Sequence, residues 1–231
     1  MQAYSFSKKT AARWPSGLRK GPDLLHGAND SDFVRIEKKS DAYILRLKSS
    51  DGTNRLTRSC IEALTSAIHT LTRTPRPLII AGNEKYFSAG ADLEEIRSLN
   101  AVTALEFSRT GQILMRLVEQ FPAPVYAAIS GYCMGGGLDL ALACHRRIAA
   151  PNAVFGHRGA ALGLITGWGG TQRLPRLIGK GRAFQMFVSA EKIDSQTALK
   201  IGLVDGIDDD PAPEALRRIK DKGVGILTKS E

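Results

Sequence analysis

The feature that most constrains this chain occurs twice: a short apolar strand, a loop of very small residues, then a helix. In the first copy Leu78-Ile79-Ile80-Ala81 leads through Phe87-Ser88-Ala89-Gly90-Ala91-Asp92-Leu93 into Glu94-Glu95-Ile96. In the second, Val125-Tyr126-Ala127-Ala128-Ile129 leads through the glycine-rich residues 131–137 into the apolar residues 138–144. An apolar run of four or five residues bounded by turn residues reads as a strand buried on both faces. Two such units about 45 residues apart predict repeated ββα turns within one α/β domain. The 231 residues, 43% hydrophobic and 24% charged, suit one domain with a sizeable core.

Around these units the pattern extends in both directions. Residues 33–37 and 43–47 alternate loosely between apolar and polar and are separated by Lys38-Lys39-Ser40-Asp41, which predicts a β-hairpin. Leu56, Ile61, Leu64, Ile68 and Leu71 follow helical spacing up to the breakers Pro75 and Pro77. Residues 101–120 are read as an amphipathic helix with Leu105, Ile113, Leu114, Leu117 and Val118 as its apolar stripe. Short strands are expected at 147–150 and 153–155 and helices at 182–188 and 195–200, while the last twenty residues are charged and weakly patterned.

Charge and cysteine content narrow the function classes. The formal net charge is +9, but Lys8, Lys9, Arg13, Arg19 and Lys20 stand in the first 22 residues without an acidic residue among them. The remainder is only mildly basic and suits an anionic small molecule, leaving nucleic acid as a minor alternative. Cys60, Cys133 and Cys144 are odd in number and form no C-x-x-C pair, so neither a disulfide framework nor a zinc site is indicated, and no metal is expected. No apolar stretch approaches a membrane span and no secretory signal is evident. A cytoplasmic protein is expected. The mitochondrial matrix is the alternative if the basic start is a transit peptide, and that start reads equally as a disordered tail or a misassigned beginning.

Two small-residue loops, each feeding a helix N-terminus, allow backbone N–H groups to approach a ligand oxygen closely. Gly135-Gly136-Gly137 is the clearest case, with a tight turn under close helix packing as the alternative.

The segment from Phe87 to Leu93 resembles the first oxyanion segment of the crotonase (enoyl-CoA hydratase/isomerase) family. Gly131-Tyr132-Cys133-Met134-Gly135-Gly136-Gly137-Leu138-Asp139-Leu140-Ala141 is similar to that family's glycine-rich motif. Gly169-Gly170-Thr171-Gln172-Arg173-Leu174-Pro175-Arg176-Leu177-Ile178-Gly179 and residues 198–204 resemble its downstream stretches. The resemblance covers roughly residues 33–208, in the family's order and spacing. It implies a crotonase-like spiral of repeated ββα units with a short C-terminal helical region. On this reading residues 1–30 are a basic tail, 31–208 an acyl-CoA-binding core, and 209–231 a truncated C-terminal segment.

The resemblance also implies an acyl-CoA thioester as the partner, with coenzyme A as part of the substrate and no further cofactor, and assembly as a homotrimer or hexamer. The thioester carbonyl would accept hydrogen bonds from the backbone of Ala91 and Gly136, and the CoA nucleotide would lie along Ala89, Ala91, Asp92, Leu93 and Glu94. Preorganised donors of this kind stabilise an enolate-like transition state by a few kcal/mol each.

The acid/base positions depart from the family. Its hydratases use two glutamates, and here the first position is Asp139 and the second aligns with Gly159. Shortening a side chain by one methylene retracts the carboxylate by about 1.5 Å, where roughly 1 Å of misplacement costs a hundredfold in rate. No other carboxylate occurs between Asp139 and Glu191. His157 and Arg158, beside the gap, are the candidate replacements, with a hydrogen-bonded loop histidine and a surface cation as the alternatives. His145 is expected to cap or pack. Asp139 and His157 are thus the candidate catalytic residues, with a hydrogen-bonded polar residue at a buried helix start as the alternative for Asp139, and a CoA-binding or scaffolding homologue without catalysis is the competing expectation.

Overall fold

The computed structural model describes residues 31–221, so the basic segment 1–30 and residues 222–231 lie outside the described residues. The hairpin β1 (Val34–Lys38) and β2 (Tyr43–Leu47) comes first, followed by β3 (Arg55–Leu56) and α1 (Arg58–Leu71). Then come β4 (Leu78–Ala81), β5 (Tyr86–Ser88), β6 (Gly90–Ala91), α2 (Leu93–Arg97) and α3 (Ala101–Glu119). The next turn is β7 (Val125–Ile129), β8 (Tyr132–Met134) and α4 (Gly136–Ala143). After it follow β9 (Arg146–Ala149), β10 (Val154–Gly156), a 3-10 turn over Arg158–Leu162, α5 (Gly170–Ile178) and α6 (Lys180–Ser189). The described chain ends with β11 (Ile193–Asp194), α7 (Ser195–Lys200), β12 (Gly206–Ile207) and α8 (Pro211–Asp221).

The ββα repetition appears as two stacked ladders. One sheet has the order β1-β2-β4-β7-β9-β12, parallel except for the β1–β2 hairpin. A second has the order β11-β10-β8-β5, and β3 pairs with β6 in a third. Each turn of the chain places one strand in the first sheet (β4, β7, β9) and the next in the second (β5, β8, β10). The repeated ββα turns expected from the sequence thus wind into the spiral that the family resemblance implies. The passage from β7 to β8 requires Gly131, whose φ is +59° and whose missing Cβ would lie 2.0 Å from the Lys85 carbonyl oxygen.

The helices form where caps and apolar periodicity agree. Thr57 Oγ1 accepts from Cys60 N at the start of α1, whose Ile61, Leu64, Ile68 and Leu71 are buried. Asn100 and Thr103 form a capping box on α3. The buried stripe of α3 is Phe107, Gly111, Leu114, Met115, Leu117 and Val118, whereas Leu105 and Ile113, placed on that stripe from sequence, are 52% and 37% exposed. The stripe is rotated because Gly111 faces inward, against an indole ring from a distant loop. Every residue of α4 is buried, which explains its lack of amphipathic pattern.

Two helical segments gave no clear signal in residue spacing, although the resemblance implies a short helical region at the C-terminus. Residues 209–221 contain α8, whose Ala212, Ala215 and Ile219 cover Ile44, Ile79, Tyr126 and Ile148 of the first sheet. Its apolar face is made largely of alanine. Charged residues dominate the rest, with Glu214 bridging Arg217 and Arg218 at 2.7 Å each. Helix α5 starts at a left-handed Gly169 and contains Pro175, so its sequence carries breakers where a helix forms. Among the described residues no helix is long and apolar enough to cross a membrane.

Candidate active site

The two glycine loops meet. A Cβ at Gly90, which has φ +96°, would lie 2.7 Å from the Met134 carbonyl oxygen and 3.2 Å from the Gly136 nitrogen. A Cβ at Gly136 would in turn lie 3.3 Å from the Ala91 nitrogen. The backbones of the two loops therefore approach as only glycine permits, and bring the amides of Ala91 and Gly136 side by side. Gly136 is the first residue of α4, where amide hydrogens have no partner within the helix. Both residues border a cavity of about 430 Å³ that Ala89, Leu93, Asp139 and His157 also line. Asp92 and Glu94 lie outside that lining. The Asp92 carboxylate caps α2, accepting from Glu94 N and Glu95 N at 3.0 Å, and Glu94 pairs with Arg97 at the surface.

Asp139 projects from the first turn of α4 and is fully buried. Burial pushes its carboxyl up to about 7, against the opposing pull of the Thr166 hydroxyl, the charge of Arg173 and the nearby backbone N–H groups of Trp168 and Gly170. Thr166 Oγ1 donates to Oδ2. Oδ1 has no well-formed hydrogen bond and faces His157 Nε2 at 3.5 Å, beyond ordinary hydrogen-bond length. The imidazole is 4% exposed, packs on Phe187 with ring centroids 5.1 Å apart, and is pulled down to about 4 by burial. The contact is therefore not an ion pair at neutral pH, because the histidine is uncharged there. Two buried, incompletely bonded polar groups side by side at the wall of a ligand-sized cavity mark a place where a further polar atom is needed. Gly170 makes room for the carboxylate, since a Cβ there would lie 2.2 Å from Oδ1.

At Gly159, where the family resemblance places a second glutamate, the backbone leaves no room for a side chain. Leu164 N donates to Gly159 O at 2.8 Å, and a Cβ at Gly159 would lie 2.8 Å from the Leu164 carbonyl oxygen. Any side chain there requires the 3-10 turn to move. Arg158 is exposed at the edge of the cavity. His145 is structural: Nδ1 accepts from Val125 N at 2.8 Å and Nε2 lies 3.1 Å from the Glu119 carbonyl oxygen. Thr166 and Trp168, which shape the site, had no signal in the sequence. They lie in a glycine-rich loop without periodicity and act on residues far away along the chain.

The opposed shifts of Asp139 and His157 affect stability in opposite directions. Asp139 has a folded value above its unfolded one, so between about pH 4 and 7 the native state binds the extra proton and acidification stabilises it. His157 has a folded value below its unfolded one, so over nearly the same range acidification favours the unfolded state. In wild type the two slopes nearly cancel. With Asp139→Asn the histidine slope stands alone, and urea unfolding is expected to lose about 3 kcal/mol more than wild type between pH 7 and pH 4. Parallel pH dependences for the two proteins would contradict the assignment.

Residues 37–218 match the sequence model of a family described as enoyl-CoA hydratase/isomerase. A protein named crotonyl-CoA hydratase from Syntrophomonas wolfei subsp. wolfei is 38% identical over 201 residues, spanning 86% of this chain and 76% of the relative. A probable enoyl-CoA hydratase from Bacillus subtilis is 49% identical over 131 residues, 56% of this chain and half of the relative. The crystal structure of an enoyl-CoA hydratase from Bacillus anthracis superposes with a TM-score of 0.77 at 34% identity, covering 81% of this chain and 75% of that one.

Proposed function

Because this chain belongs to the enoyl-CoA hydratase/isomerase family, we propose that it is an enzyme that adds water to, or shifts the double bond of, an enoyl-CoA thioester, using Asp139 and His157 in place of two glutamates. The observation that carries this reading is the buried, unsatisfied Asp139–His157 pair beside the converging amides of Ala91 and Gly136.

In this reading the thioester carbonyl accepts hydrogen bonds from the amides of Ala91 and Gly136, an oxyanion hole whose effect grows as the oxygen becomes enolate-like. The Asp139 carboxylate takes a proton from water as the water oxygen bonds to the β-carbon. The proton returns to the α-carbon, directly or across Nε2 of the neutral His157, so the pair ends the cycle as it began. Coenzyme A enters as part of the substrate, with Ala89 and the segment from Ala91 to Glu94 beside it, and no separate cofactor or metal takes part. The exposed Ile165, Phe184 and Val188, 70%, 68% and 62% accessible, are placed to be covered by neighbouring copies in a homotrimer or hexamer. A cytoplasmic location completes the proposal.

The test is crotonyl-CoA hydration by the purified protein, followed by loss of the enoyl absorbance. Thioester binding without turnover of crotonyl-CoA or longer enoyl-CoAs would sink the catalytic reading. The pH profile is a second check. Since the ionised form of Asp139 is the base, kcat/KM is expected to fall about tenfold per pH unit below its value of about 7 and to level off above it. His157, already neutral above about pH 4, adds no further limb. A rate flat from pH 5 to 8 would remove Asp139 as the base.

A further inference from the structure

We infer that the indole of Trp168 is the floor of the acyl-binding part of this cavity and restricts the bound thioester to short acyl groups, an inference that rests on the thioester reading above. The ring spans the gap between α3 and α4. A Cβ at Gly136 would lie 2.2 Å from its Cζ3 and 2.6 Å from its Cε3, and a Cβ at Gly111 would lie 2.2 Å from its Nε1 and 2.3 Å from its Cδ1. Two opposite edges of one aromatic ring thus rest on two glycine backbones, and neither glycine tolerates a side chain while the ring stays in place. Phe107 packs against the indole at 5.3 Å between centroids, with the planes inclined by 60°. Only 4% of Trp168 is exposed.

The ring is held there by its backbone as well as its packing. The Gly167 carbonyl accepts from Ser108 Oγ at 3.1 Å and from Gln112 Nε2 at 2.8 Å, both on α3. The Trp168 carbonyl accepts from Arg173 at 3.2 Å, and the next residue, Gly169, takes φ +103°. These bonds fix the backbone from which the indole projects, and the close packing of the ring on Gly111, Gly136 and Phe107 holds the ring itself, so it acts as a wall and not as a gate. The edge that meets Gly136 also lies beside the Ala91 amide, which is 3.3 Å from the same point above Gly136. An acyl group whose carbonyl sits between those amides and whose reacting carbons face Asp139 therefore meets the indole after few carbons. A longer chain either displaces the ring or turns back toward solvent.

The test uses saturated thioesters, which cannot be hydrated. Dissociation constants for butyryl-CoA, hexanoyl-CoA and octanoyl-CoA are measured by calorimetry on wild type, Trp168→Leu and Trp168→Ala, with thermal unfolding to confirm folding. Wild type is expected to bind butyryl-CoA at least about tenfold tighter than octanoyl-CoA, and both variants to shift that ratio about tenfold or more toward octanoyl-CoA. Equal or tighter binding of octanoyl-CoA by wild type overturns the inference even if neither variant folds. So does an unchanged ratio in a folded variant. No binding of any of the three to wild type would sink the thioester reading itself, and this inference with it. Binding without the expected length dependence sinks only the role of Trp168.

Discussion

Asp139→Asn is expected to lower kcat for crotonyl-CoA hydration by about 10³-fold while leaving thioester affinity within about threefold. The amide keeps the size of the carboxyl, still accepts the Thr166 hydroxyl through its oxygen, and leaves the two glycine loops untouched. What it removes is a proton acceptor held near neutrality inside the cavity. Single-residue losses of a general base fall between about 10² and 10⁴. The upper half of that range is expected here, since His157, pulled down to about 4, is a poor base by itself. Turnover reduced less than about tenfold would show that Asp139 is a buried structural group and that the acid/base work lies elsewhere.

Gly90→Ala is expected to fail in the opposite way, by weakening stability and thioester binding together. At φ +96° an alanine costs roughly 1–3 kcal/mol in backbone strain. Its Cβ would also fall 2.7 Å from the Met134 carbonyl and 3.2 Å from the Gly136 nitrogen, where no flexible side chain can yield. Overpacking adds a further roughly 1–3 kcal/mol, for a total near 4 kcal/mol by urea unfolding. Whatever structure survives must hold the two loops apart, separating the Ala91 and Gly136 amides. Affinity for butyryl-CoA should therefore drop by roughly two- to tenfold, the loss of one hydrogen bond of about 0.5–1.5 kcal/mol to the thioester carbonyl. A variant that unfolds like wild type and binds as tightly would mean that the close approach of the loops is not what holds the thioester. Asp139→Asn and Gly90→Ala thus separate chemistry from binding.

Much of the fold was legible because it is written in local pattern. The hairpin, α1, and the apolar runs that became β4 and β7 each follow from spacing within a few residues. The repeated unit was legible for the same reason, and so was the clustering of small residues at 88–91 and 135–137 before a helix. Elements whose local spacing speaks against them were not legible from pattern. Helix α5 carries Gly170 and Pro175, and α8 hides its buried face in alanines among charged residues. The stripe of α3 was misplaced onto Leu105 and Ile113 because the partner that turns Gly111 inward, Trp168, lies more than fifty residues downstream.

For the site, the sequence by itself determined that two small-residue loops enter helices, that a carboxylate follows the second loop, and that a histidine stands two residues before a missing one. These are statements about neighbours in the chain, where geometry is nearly fixed by residue type. Only the tertiary structure decided that Asp139 and His157 face each other at 3.5 Å, that Thr166 bonds the carboxylate, and that Gly159 is sealed by Leu164. It alone put the indole of Trp168 across the floor. The physical reason is that burial and its effect on proton affinity are set by everything that closes around a group, and the groups closing around Asp139 come from strands, turns and loops that meet only when the spiral is complete.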